Sequence, residues 1–101
     1  ASSATKWLRY SIAGLASLER KEFECIHAGI DTAHINHDPN RLVPLDICME
    51  LKTKGLIGSI DDEYYVTVGN LTPVARAEQF AVEMLDALKE RSVQAVMLTS
   101  S

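Results

Sequence analysis

The sequence predicts an α/β domain built on a small, mostly parallel sheet with right-handed βαβ crossovers, completed by a companion chain. Three observations carry the fold class. From residue 23 onward, strand-like and helix-like stretches alternate as strand, helix, strand, helix, strand. The last stretch, Val93–Gln94–Ala95–Val96–Met97–Leu98, is apolar at nearly every position, as suits a strand covered on both faces. Tyr64–Tyr65–Val66–Thr67–Val68 is the clearest strand by propensity. A length of 101 residues suits a single domain, read as an amino-terminal helical segment (1–22) followed by the alternating core (23–101).

Each element has its own warrant. Residues 5–20 hold Trp7, Leu8, Ile12, Leu15 and Leu18 at spacings of three and four, which predict an amphipathic helix interrupted by Gly14. Residues 23–30 carry the β-branched and aromatic content of a strand. Residues 31–41 are polar, and Asp38–Pro39–Asn40 is turn chemistry, so this stretch reads as a loop. A helix follows over 43–54, with Pro44 in its first turn, Asp46 near its positive end and Lys52 and Lys54 at its negative end. Ile47, Cys48 and Leu51 form its apolar stripe, and Gly55 is its left-handed stop. Asp61–Asp62–Glu63 makes a solvated acidic corner before the Tyr64 strand, which Gly69–Asn70 ends. Thr72 as N-cap and Pro73 at the first helical position open the last helix. Val74, Ala77, Ala81, Met84, Leu85 and Leu88 give it one apolar face, widened by Phe80, and Arg91–Ser92 ends it.

The bulk properties exclude several classes. A net charge of −4 argues against a nucleic-acid partner, because nothing would neutralise a run of phosphates. No apolar run approaches the ~18 residues of a membrane span. Ala1–Ser2–Ser3–Ala4 lacks the charged-then-apolar build of a signal peptide. Cys25 and Cys48 form no CxxC, and two isolated cysteines fit reduced thiols in a cytoplasmic protein.

The polar loop holds the densest chemistry. Asp31, His34, His37, Asp38 and Arg41 lie close together after a strand. Two His and two Asp are zinc-type ligands, yet no third ligand stands at a fixed spacing, so no metal is expected. Solvated turns and substrate or partner contacts remain the two other readings. Arg41 suits a bidentate carboxylate clamp, or a pair with Asp38 or Asp46. Gly69–Asn70–Leu71–Thr72 joins a strand to a helix amino end, where free N–H groups hold an anion or simply cap a turn. One of Tyr64 and Tyr65 faces the core, and the other phenol is free to face a cleft. His27, Cys25 and Cys48 read as packing residues. Thr99–Ser100–Ser101 falls at the carboxyl end of the final strand, where ligands of open α/β sheets sit. As a cut site, Ser101 is the leaving side of a self-cleavage that turns the following Cys or Ser into an amino-terminal pyruvoyl group.

Several motifs occur in a fixed order: Asp31; the run Asn36–His37–Asp38–Pro39–Asn40–Arg41–Leu42–Val43–Pro44–Leu45–Asp46; Leu51; Gly55–Leu56–Ile57–Gly58; Tyr65–Val66–Thr67–Val68–Gly69–Asn70–Leu71–Thr72; and Ala95–Val96–Met97–Leu98–Thr99–Ser100. Together they resemble the pyruvoyl-forming proprotein subunits of glycine reductase and D-proline reductase complexes, from about Phe23 to the end. The resemblance implies that this is the upstream product of a cut precursor. Its companion chain would bear a pyruvoyl cofactor, and a further subunit would bear a selenocysteine or cysteine. The implied activity is reductive cleavage of the C–N bond of a small amino acid by a hetero-oligomer in which this chain is not active alone. On that basis Asp31, His34 and Ser101 are the expected catalytic residues. Arg41, Tyr65, Thr67, Asn70, Thr72 and Thr99 are the expected substrate contacts. A pyruvoyl-dependent decarboxylase half and a non-catalytic α/β partner-binding module are the alternatives.

Overall fold

The computed structural model describes residues 6–19, 22–25, 31–68 and 72–99. In chain order its elements are β1 (Lys6–Ser11), α1 (Ala33–His37), a 3-10 turn (Pro39–Arg41), α2 (Leu45–Thr53), β2 (Glu63–Val68) and α3 (Val74–Glu90). The chain divides into two compact units, one of residues 1–13 and 61–97, the other of 14–60 and 98–101.

In the first unit, β1 and β2 pair antiparallel, with Lys6 opposite Val68 and Ser11 opposite Glu63. The helix expected over 5–20 is therefore corrected: its first residues form a strand. Cross-strand partners decide this. Tyr10 stacks on Tyr64 directly opposite, with ring centroids 5.4 Å apart, and Trp7 lies 5.1 Å from its diagonal neighbour Tyr65. Such pairs are the unit of sheet stabilisation, and they outweigh a local helical spacing. Gly14, at φ +77°, then turns the chain off any helical path. The pairing found among the described residues is antiparallel, and a parallel sheet with βαβ crossovers is not among them. The α/β class holds.

α3 buries Phe80 and Ala87, with Met84 and Leu88 half-buried on the same face. Its start lies one residue later than expected: Pro73, not Thr72, is the N-cap. It ends in a Schellman motif, where the Ser92 N–H donates to Lys89 O (3.1 Å), the Val93 N–H donates to Leu88 O (3.0 Å), and Ser92 is left-handed at φ 59°. Arg91 ties this end to the acidic corner before β2, and Arg9 ties β1 to β2. The Arg91 guanidinium donates from Nε to both Asp61 oxygens (2.9 and 2.8 Å), and Arg9 Nε donates to Glu63 Oε2 (2.8 Å). Each arginine holds its proton more tightly than usual through these bonds, and the Arg91 bond keeps the Asp61 carboxyl below its ordinary range. Beyond Ser92, residues 93–99 have no strand pairing among the described residues, which corrects the expected final strand. Val96, Met97 and Leu98 there are 56%, 62% and 89% exposed.

In the second unit, Leu18 and Leu45 are buried. α2 starts two residues later than expected, with Pro44 as its N-cap and not in its first turn, and stops where Gly55 predicts. The Gly55 N–H donates to Lys52 O, the Leu56 N–H donates to Leu51 O, and Gly55 sits at φ +77°. Ile47, expected on the apolar stripe, faces solvent, while Leu45 takes the core position. The stretch expected as a loop over 31–41 instead contains α1 and the 3-10 turn. Of the strand expected over 23–30, residues 26–30 lie outside the described residues, and residues 23–25 are irregular.

Candidate functional site

The second unit gathers the expected polar residues. Asp31 Oδ1 accepts from the Ala33 N–H (3.0 Å), so this carboxylate satisfies the first backbone N–H of α1. His34 lies on α1 and Arg41 ends the 3-10 turn; both are exposed. Arg41 Nη1 donates to His34 O (3.2 Å) and lies 3.3 Å from His34 Nδ1. A guanidinium has donors only, so in the neutral ring Nδ1 accepts. The proton then sits on Nε2, which is left as an outward donor. The remaining guanidinium N–H groups and this Nε2–H form a cationic donor set suited to a carboxylate.

Two asparagines hold this set in place, and the sequence showed them only as turn formers. Asn36 Oδ1 accepts from the Cys25 N–H (2.6 Å), and its Nδ2 donates to Cys25 O (3.2 Å) and Thr32 Oγ1 (3.3 Å). Asn40, buried, accepts at Oδ1 from the Leu18 N–H (2.9 Å) and the Asp46 N–H (3.4 Å). Its Nδ2 donates to Leu18 O (3.0 Å) and Asp38 Oδ1 (2.8 Å). The Asn40 hydrogen bonds hold the Asp38 carboxyl below its usual range. Asp38 in turn caps the 3-10 turn by accepting from the Asn40 N–H (3.2 Å).

The other candidates lie elsewhere. Tyr65 and Thr67 are on β2 in the first unit, on the strand face shared with Trp7 and Arg9. The Tyr65 ring packs against Trp7 and lies 5.5 Å beneath the Arg9 guanidinium. Its hydroxyl is buried without a hydrogen-bond partner among the described residues. Burial pushes the neighbouring Tyr64 phenol up. Thr72 is half-buried just before α3, and Thr99 is exposed in the irregular stretch that follows α3. Asn70 and Ser101 lie outside the described residues, as does His27. The first unit also has an open cleft of about 240 Å³ lined by Lys6, Trp7, Arg76, Gln79, Phe80 and Glu83, none of them an expected site residue. Among the described residues, no three His, Cys, Asp or Glu side chains gather as a metal site, and no helix is long and apolar enough to cross a membrane.

The fold and the His34–Arg41 pair define a small α/β protein with a surface donor set for anions. The chain belongs to the glycine/sarcosine/betaine reductase selenoprotein B family, whose model matches residues 1–101. It is 44% identical over 100 residues to glycine reductase complex component B subunit gamma of Carboxydothermus hydrogenoformans, covering 99% of this chain and 23% of that protein. It is 40% identical over 99 residues to betaine reductase complex component B subunit beta of Peptoclostridium acidaminophilum, covering 98% and 23%. A sarcosine reductase complex component B subunit beta from the same organism is 39% identical over 100 residues, covering 99% and 23%. The chain thus spans about a quarter of the length of these relatives. No solved structure matches it. The family so named is that of selenoprotein B; the motif order had pointed to the pyruvoyl-forming proprotein of such complexes.

Proposed function

We propose that this chain is part of the component B subunit of a hetero-oligomeric reductase complex that cleaves the C–N bond of glycine or an N-methylated glycine. The observation that carries the reading is the family match across all 101 residues, joined by relatives named for glycine, betaine and sarcosine. Those three compounds differ only in the methyl groups on nitrogen. Their shared part is a carboxylate on a methylene, and the exposed Arg41 and His34 donors suit that carboxylate. Arg41 binds it by paired hydrogen bonds, and the His34 Nε2–H adds a further donor.

A selenol or thiol supplies the nucleophile that displaces the amine from the α-carbon, and a pyruvoyl ketone supplies electrophilic activation. In this reading both lie outside these 101 residues. The stretch 93–99 becomes a strand of a larger, mostly parallel sheet against the remaining polypeptide, which covers Val96, Met97 and Leu98.

The test is steady-state kinetics of the subunit in its assembled complex, reading amine release from glycine, sarcosine and betaine. Losing a charge-assisted pair worth about 1.5–3 kcal/mol predicts that Arg41→Ala raises KM by about 10- to 150-fold with kcat retained. An unchanged KM removes the carboxylate role. Release of CO₂ in place of amine returns the decarboxylase alternative.

A further inference from the structure

We infer that Asn36 and Asn40 are positioning residues that set the geometry and tautomer of the His34–Arg41 pair; this rests on the carboxylate reading above. An asparagine amide offers one acceptor and one donor pair at nearly the spacing of a peptide group. It can therefore bond both the N–H and the C=O of a single residue, as a neighbouring strand would. Asn36 does this to Cys25, and Asn40 does it to Leu18. Neither bond pair is local, since the partners lie 11 and 22 positions away.

The placement matters more than the bonds alone. Asn36 is on α1 two residues after His34, and Asn40 immediately precedes Arg41. α1 is five residues long, and the side chain of its N-cap, Thr32, caps no backbone N–H of the helix. A helix that short has no stability of its own, because nucleation costs more than one turn returns. The 3-10 turn has three residues. Each half of the pair therefore stands on an element that cannot hold itself. Each element is held by an asparagine to a distant stretch of backbone. Releasing either one frees the 3.3 Å contact between Arg41 Nη1 and His34 Nδ1 and, with it, the preference for a proton on Nε2.

The test has two readings on Asn36→Ala, Asn36→Asp and Asn40→Asp. Asparagine to aspartate keeps the acceptor and removes the donor, so it serves where alanine fails to fold; Trp7 fluorescence checks folding. The first reading is the ¹⁵N chemical shifts of the His34 ring in the full-length subunit. The unsubstituted chain shows one neutral tautomer with Nε2 protonated, and each variant shows a mixture of the two. The second is the KM and kcat for glycine of the same variants in the assembled complex. KM rises toward the value of Arg41→Ala with kcat retained. A His34 ring that keeps its tautomer in all three variants overturns the inference. Altered tautomers with an unchanged KM uphold the positioning and overturn the carboxylate reading instead.

Discussion

Removing the Tyr65 hydroxyl should stabilise this protein. The ring is well used, against Trp7 at 5.1 Å and beneath Arg9 at 5.5 Å, but the oxygen is buried with no partner among the described residues. Leaving such a group buried and unpaired costs about 1–3 kcal/mol. Tyr65→Phe keeps both ring contacts and removes that cost. Allowing for the packing lost with one oxygen, the expected gain is about 1 kcal/mol, or about 4–8 °C in Tm for a chain of this size. Tyr65→Leu is the control. It gives up an aromatic pair worth about 0.5–1.5 kcal/mol and a cation–π contact of about 0.5–1 kcal/mol, so it should destabilise. The assay is urea unfolding followed by fluorescence of Trp7, the one tryptophan, which reports from beside the substituted ring. A loss of more than about 1 kcal/mol in Tyr65→Phe would mean the hydroxyl is hydrogen-bonded, and the reasoning fails.

Other outcomes follow from the helix ends and the carboxylates. Ser92→Gly should gain about 0.5–1 kcal/mol by relieving a left-handed non-glycine residue, whereas Gly55→Ala should lose about 1 kcal/mol by creating one. A Cβ at Gly55 meets nothing within 4 Å, so backbone strain alone is measured there, by thermal melts of both variants. Asp61 and Asp38 have folded-state values below their unfolded ones, through hydrogen bonds from Arg91 and Asn40 respectively. Their contribution is thus present above pH ~4 and lost as pH falls through the folded values. Asp61→Asn should flatten the fall in urea midpoint below pH ~4; curves parallel to the unsubstituted chain would contradict the Arg91 bond.

What could be read from the sequence depended on how local the cause was. α2, its Gly55 stop, β2 and α3 carry their signals within themselves, as stripes, stops and β-branched content. β1 does not. Its Trp7, Leu8 and Ile12 are spaced as a helix would space them, and the partners that make it a strand, Tyr64 and Tyr65, lie more than fifty residues on. α1 has no stripe and is held by Asn36 reaching to Cys25, so its composition reads as loop. Asp38–Pro39–Asn40 signalled a turn, and the structure has one there. No local pattern could show Asn40 reaching Leu18. Arg41 and His34 were legible as chemistry from residue type, while their contact depends on those two asparagines. Residues 93–98 read as a buried strand because they are apolar; here they are largely exposed, and the partner that composition anticipates is not among the described residues.

In the proposed function Arg41 and His34 receive the substrate carboxylate. Titrating glycine into the ¹⁵N-labelled subunit in its complex, while following the Arg41 guanidinium and His34 ring resonances, reads that contact. Saturable shifts at both residues are expected, and Arg41→Ala should abolish them. Shifts confined to the cleft around Lys6, Trp7 and Arg76, with His34 and Arg41 unmoved, would contradict the proposal.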